Sequence, residues 1–450
     1  MRSTVLSRRS FAIAAVSLVA ALGLAACGTQ NPPSASSTGA GGTTDTGPTL
    51  SSGDVTLRVN WWGGDARVEG TNQAIEAFQA KYPNIHVTGE FSDWNGYWDK
   101  LATSVAGGNA PDVVQMDELY LASYAQRDTL YDLSKLSQVD TSQLDPSVVG
   151  LGKSNGTLNA LPISTTGFGI VVNDDALAQL GLTLPDTDTW TWDDLSAFAK
   201  KISDASGGSA VGISPMSNGY SLRLWARQHG EELFTDGKVS ISPEALAGYF
   251  QLAVDWTKSG AAASASHQAE VASVALDQSD IATGKQVLSF IQATQITAYS
   301  AAAGGAKFSL VPIPTDDANK APYGYLKPGM YWAVSAKSEH PAEAALFVNF
   351  MINDLDAGRI LGTERGIPSN PKVVDAISGS LSATEKVAVD FDAKVAEHIG
   401  DAPEITPNGA SALDSTIARY LQEVTFEQLT PADASKAFIA EIQGSIDSAS

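Results

Sequence analysis

Cysteine is almost absent: the 450-residue chain has one, Cys27. A body without a second cysteine has no internal disulfide, and zinc sites built on several cysteines are excluded. Basic residues are scarce beside acidic ones, 28 Lys and Arg against 50 Asp and Glu, for a formal charge of -22. Such a surface repels phosphate backbones and anionic lipid, so no nucleic-acid partner is expected, while a neutral or cationic small ligand is compatible. The five histidines, His86, His229, His267, His340 and His398, are scattered, and none forms an H-E-x-x-H pair. No Walker sequence or complete dinucleotide fingerprint occurs either, so neither a metal site nor a cofactor is expected. Beyond the N-terminal segment no apolar run reaches the length of a membrane span.

What is present begins with a targeting segment. Arg2, Arg8 and Arg9 form a positive start, and Phe11 to Leu24 is an uncharged, Ala-rich stretch of signal-peptide length. Leu24-Ala25-Ala26-Cys27 then resembles the bacterial lipobox, in which the cysteine is lipidated and becomes the mature N-terminus. Residues 1–27 are therefore expected to be a lipoprotein signal peptide, with membrane attachment through Cys27. Ser7-Arg8-Arg9-Ser10-Phe11 also resembles a twin-arginine export signal, which leaves the export route open. Residues 28–53 are rich in Gly, Ser, Thr and Pro and nearly free of apolar bulk, so they are expected to be a disordered tether. A flexible chain of that length reaches about 25–30 Å.

The rest of the chain exceeds one hydrophobic core, and two lobes are expected. Val55-Thr56-Leu57-Arg58-Val59-Asn60 alternates as a strand does. Ile75, Phe78 and Tyr82 recur at helical spacing, Ile85-His86-Val87 is a second strand, Leu101 and Val105 mark a second helix, and Pro111 to Met116 is a buried strand. This rhythm predicts an α/β fold with a helix-covered parallel sheet, whose ligands sit at the carboxyl ends of strands. A further unit begins near Phe168. Trp190-Thr191-Trp192-Asp193-Asp194-Leu195 predicts a helix start, with Thr191 and Asp194 as a capping box and Trp190 and Leu195 as a staple. Gly152-Lys153-Ser154-Asn155-Gly156 matches the G-x-S-x-G nucleophile pattern, but Asn155-Gly156 is a hairpin-turn signal, and a hairpin is expected.

Four segments together resemble the family 1 extracellular solute-binding proteins, the group that contains the maltose-binding protein, and within it the carbohydrate-binding lipoproteins of ABC uptake systems. They are Pro111 to Leu133, Gly156 to Leu182, Pro328 to Asn370 with its Arg-Gly-Ile-Pro turn, and Pro407 to Gln443. The resemblance implies a two-lobe periplasmic-binding-protein-like fold with an interlobe ligand cleft and a multi-crossing hinge. Crossings are expected near Ser164–Phe168, near Leu326–Met330 and after Arg365. The lobes would then be 54–164 plus 328–366 and 165–327 plus 367–450. It also implies a non-enzymatic protein that captures a mono- or oligosaccharide and delivers it to ABC permease subunits; a monomer is expected.

A sugar offers apolar C–H faces to aromatic rings and hydroxyls to carboxylates, amides and guanidinium groups. The family carries an aromatic and an acidic residue after its first strand, which Trp61-Trp62-Gly63-Gly64-Asp65 matches; Trp62 is expected to face the cleft and Trp61 the core, with Asp65 either a hydroxyl acceptor or a turn residue. Trp94 and Tyr97 are expected to form a platform, with Trp98 in the core. The family's contact loop falls at Asp117, which is equally a helix N-cap. Trp225 sits either at the cleft or in the core. Gln295 follows a strand, Trp332 lies at a hinge crossing, and Arg365 either forks onto hydroxyls or pairs between the lobes. The rival readings are a secreted glycoside hydrolase, which needs two carboxylates about 5–10 Å apart, and a binding protein for a polyamine or peptide.

Overall fold

The computed structural model describes residues 47–272, 274–316 and 324–449. The expected signal peptide, Cys27 and tether residues 28–46 lie outside them. The expected tether is too long at its other end. Gln138 Nε2 donates to Pro48 O at 3.2 Å, Ser51 N–H to Glu343 Oε1 at 2.5 Å and Asn84 Nδ2 to Gly53 O at 3.3 Å. Residues 48–53 are thus fastened to the body by backbone groups, which need no apolar side chains.

Strand β1, Val55–Trp62, runs two residues past the alternating segment, because Trp61 and Trp62 still pair with Phe91 and Ser92 of β2, Ile85–Ser92. Helix α1, Asp65–Lys81, joins these two strands and buries Ala74, Ile75 and Phe78. Helix α2, Trp94–Ala106, leads to β3, Val113–Met116, and β3 leads to helix α3, Glu118–Ala125. Strands β2, β1 and β3 are parallel, as the rhythm predicts. Two more strands complete this five-stranded sheet: Tyr331–Val334, antiparallel to β3, and Leu161–Pro162, antiparallel to Tyr331–Val334. Its core is built round Trp61, Phe78, Tyr97, Trp332 and Phe347, each completely or almost completely buried. Each such side chain contributes about 1.5–3 kcal/mol relative to exposure.

A second sheet has the order Phe308–Val311, Phe168–Asn173, Gln286–Gln292 and Val211–Ile213. It carries its own core, including Trp190, Leu195, Trp225, Phe250, Trp256 and Phe438. The helix Trp192–Ala205 starts with the full capping box of Thr191 and Asp194. Lys153–Ser154 and Thr157–Leu158 form an antiparallel hairpin turned by Asn155 and Gly156 at positive φ, so the G-x-S-x-G match is a turn.

Between the two sheets lies a third of three short antiparallel strands, Lys327–Pro328, Ser164–Thr166 and Ile367–Pro368. Here the chain passes from one core to the other. Backbones crowd at this point: a Cβ on Gly329 would lie 2.6 Å from Ser164 Oγ and 2.8 Å from Arg365 O. Gly366, at φ 104°, takes a conformation that side chains oppose. The first lobe extends further than residue 366. The helix Pro371–Ile377 packs on it through Val373 and Gly358, Asn370 Nδ2 donates to Asn353 Oδ1 at 2.9 Å, and Ile405 is buried in the first core.

Candidate functional site

The strand order places the carboxyl ends of β1, β2 and β3 along one edge of the first lobe, and the residues that follow them carry the site. Asp117 caps α3, its Oδ1 accepting from Leu119 N–H at 2.9 Å. Glu118 follows it into a cavity of about 240 Å³. Walls come from both lobes: Asp117 and Glu118 from the first, Tyr220, Arg223, Gln295 and Asp414 from the second, with Tyr325 and Lys327 from the segment that crosses between them.

The second-lobe wall is the start of the helix Gly219–Gln228. Asn218 caps it, accepting from Ser221 N–H at 2.9 Å, and Asp414 Oδ1 accepts from Gly219 N–H at 2.7 Å. Arg223 leaves this helix almost completely buried. Its guanidinium donates to Glu404 O at 2.7 Å and to Thr406 Oγ1 at 3.0 Å, and reaches Glu118 at 3.5 Å. Lys327 Nζ lies 3.6 Å from the other Glu118 oxygen. The Tyr220 hydroxyl donates to Tyr325 O, and the two rings stack with centroids 4.5 Å apart. Burial pushes the Asp117 carboxyl above its ordinary range, against the pull of nearby Lys327.

Beside Asp117 stands an aromatic shelf. Trp98 and Tyr120 stack at 3.8 Å, Trp62 meets Trp94 edge-on at 5.0 Å, and Trp94 is 38% exposed. Trp62 ends β1, Trp94 opens the helix after β2, and Tyr120 lies on α3 one turn from Asp117. Polar groups of both signs beside the exposed Trp94 can take a small polar ligand with apolar faces of its own. No group of His, Cys, Asp and Glu suited to a metal ion occurs among the described residues.

The sequence profile of the family described as "Bacterial extracellular solute-binding protein" matches residues 73–389, more than half of the chain. The chain belongs to that family. Among curated relatives, the "Uncharacterized lipoprotein in oleD 5'region" of Streptomyces antibioticus is 28% identical over 210 residues, 43% of this chain and 44% of that one. The "Diacetylchitobiose binding protein DasA" of Streptomyces coelicolor is 25% identical over 367 residues, 80% of this chain and 82% of that one. A similar solved structure is a periplasmic oligogalacturonide binding protein from Yersinia enterocolitica, with 25% identity and a TM-score of 0.76 over 88% of this chain and 99% of that one. The two-lobe α/β fold is thus that of the extracellular solute-binding proteins.

In this solute-binding protein the residues singled out from the sequence fall into three groups. Asp117 and Gln295 line the cleft, Gln295 with its Oε1 accepting from Gln292 N–H at 3.0 Å. Trp62 and Trp94 belong to the shelf, which lies outside the cavity lining; Trp94 is exposed, whereas Trp62 is buried in the first core against Trp94, Tyr97 and Trp98, and Trp61 stacks on Phe91 in that same core. The other five do not line the cleft. Asp65 is exposed in the first turn of α1, in an open depression with Glu69 and Phe91. Tyr97 is completely buried, and its hydroxyl donates to Gln115 O at 2.5 Å. Trp225 lies in the second core between Trp192 and Tyr249, its Nε1 donating to Ala245 O at 2.7 Å. Trp332 sits on a central strand against Phe347. Arg365 neither forks into the cleft nor joins the lobes: Nη2 donates to Thr71 Oγ1 at 2.6 Å, Nε to Gln115 Oε1 at 3.3 Å, and the guanidinium covers Trp332 at 5.7 Å. Burial and the nearby Arg67 lower its pKa to about 9.

Sequence reasoning preferred Asp117 to its neighbour Glu118 past the same strand end, and it missed Arg223, Lys327 and Asp414. One signal for Arg223 was available. Successive helical residues turn by about 100°, so a residue two before a core-facing Trp225 points to the opposite side, about 200° away.

Proposed function

We propose that this protein is the extracytoplasmic sugar-capture component of an ABC-type importer, that it is not an enzyme, and that it holds a mono- or oligosaccharide between its lobes. The observation that carries the reading is the pairing of a polar, two-lobed cleft with an aromatic shelf at the strand ends. Trp94, backed by Trp62, would meet sugar C–H faces, while Asp117, Gln295 and Asp414 would meet hydroxyls. Support also comes from the relatives, one named for diacetylchitobiose and one for oligogalacturonide. Ligand would bind the open form on one lobe, and closure would bring the second wall onto it. Closure follows only where the closed form binds the ligand better than the open one. The closed form would then dock on the permease.

Attachment through lipidated Cys27 belongs to the same proposal, with a lipoprotein among the relatives as its support. Mass spectrometry of the mature N-terminus tests it, and Cys27→Ser is expected to release the protein from the membrane fraction.

The binding test is calorimetry with the body Gly47–Ser450, one compact unit that contains every described core and hydrogen bond, against neutral, amino and uronic sugars, polyamines and short peptides. Micromolar binding of a sugar recovered intact is the expected result. A cleaved sugar would replace this reading with hydrolysis, and a polyamine or peptide hit with silent sugars would replace the ligand class.

A further inference from the structure

We infer that the cleft selects uncharged or cationic saccharides and rejects uronic acids, with Asp117 and Asp414 as the selecting carboxylates; this rests on the saccharide reading above. Among the described residues three carboxylates face the cavity, Asp117, Glu118 and Asp414, and two cations, Arg223 and Lys327. Both cations are committed to the same partner. Arg223 reaches Glu118 at 3.5 Å and Lys327 reaches it at 3.6 Å. Arg223 also spends its guanidinium on Glu404 O and Thr406 Oγ1. Both terminal nitrogens of Arg223 already donate, which weakens the two-pronged grip that a guanidinium offers a carboxylate.

Asp117 and Asp414 stand differently. Each uses one oxygen on a backbone N–H, of Leu119 and Gly219 respectively. Among the described residues neither forms an ion pair, and none donates to the second oxygen of either. One comes from each lobe, so a ligand that donates to both would tie the walls together. Hydroxyl, acetamido N–H and ammonium groups can donate in this way; a carboxylate cannot. Burial of Asp117 outweighs the pull of Lys327 and the Leu119 N–H, and with smaller repulsion from Glu118 and Asp414 it already disfavours the negative charge, a cost to which a further anion in the cavity would add. The net charge of -22 keeps anions away at longer range.

The experiment is calorimetry at pH 7 with the body Gly47–Ser450 and a matched set of neutral, amino and uronic mono- and disaccharides. N,N′-diacetylchitobiose, its deacetylated form and digalacturonic acid represent the three charge classes. The expected result is that the best neutral or amino sugar binds at least tenfold more tightly than any uronic sugar. Asp414→Asn keeps the acceptor for Gly219 N–H and lies at an exposed position, so it folds; it is expected to narrow that ratio at least threefold. Asp117→Asn, which keeps the α3 cap, is expected to do the same. A uronic sugar that binds as tightly as the best neutral one overturns the inference and leaves the saccharide reading standing. So does a ratio that neither variant changes. Silence of all three classes overturns the saccharide reading, and the inference with it.

Discussion

Glu118 of the first lobe and Arg223 of the second meet across the cleft at 3.5 Å, both almost completely buried. Thr406 Oγ1 completes the contact, 3.4 Å from the same carboxylate oxygen. A pair formed between two lobes is broken whenever they part, so it contributes to the closed arrangement alone.

Glu118→Gln should therefore favour opening. Removing one member of a buried pair leaves the other charge without its partner, here both Arg223 and Lys327. Arg223 keeps its bonds to Glu404 O and Thr406 Oγ1, which limits the cost to about 1–3 kcal/mol. The expected outcome is a larger radius of gyration by small-angle scattering without ligand, together with weaker ligand binding. An unchanged radius would show that the pair does not hold the lobes.

Two tryptophans should separate binding from stability. Trp332 is completely buried, and Trp332→Ala is expected to cost about 3–5 kcal/mol in urea unfolding. Trp94 is the most exposed of the nine, and Trp94→Ala should change stability by less than about 1 kcal/mol while weakening sugar binding roughly tenfold. The reverse pattern would remove the shelf from the site.

Stability should fall as the solution becomes less acidic, because of Asp392. Its Oδ1 accepts from Gly167 N–H at 2.7 Å, beside the crossing strands, and its Oδ2 is buried with no hydrogen-bond partner among the described residues. Burial raises this carboxyl from its ordinary 3.8 to about 7, against the opposing bond from Gly167. Between those values the folded chain binds more protons than the unfolded one. The contribution is thus fully present below the ordinary carboxylate range and is lost as pH rises toward 7, at up to about 1.4 kcal/mol per pH unit. Asp392→Asn should flatten this dependence in urea titrations between pH 4.5 and 8. A wild-type slope that survives in the variant would assign it to other groups.

Local periodicity made much of the first lobe legible, since alternation in β1 and the spacing of Ile75 and Phe78 reflect which face each residue buries. The Thr191–Asp194 box was readable for the same reason: a cap is a contact within four residues. The cleft was harder to read because its groups are defined by partners far away in the chain. Glu118 and Arg223 look like ordinary surface charges until the lobes face each other. Tryptophan misled in the opposite direction. Its large apolar area favours burial, so Trp225 and Trp332 fill cores, although the ring that suits a sugar is the same ring. Nothing near Arg365 in sequence announces Thr71 or Gln115, its two hydrogen-bond partners.

The three crossing strands have a mechanical consequence. Hydrogen-bonded side by side, they act as a flat strap, which folds readily about one line and resists twisting and sideways slip. Gly329 and Gly366 let the strap lie flat where any side chain would wedge it apart. Lobes joined in this way would swing as a door does, along one path, so that the two walls would return to the same register each time they shut.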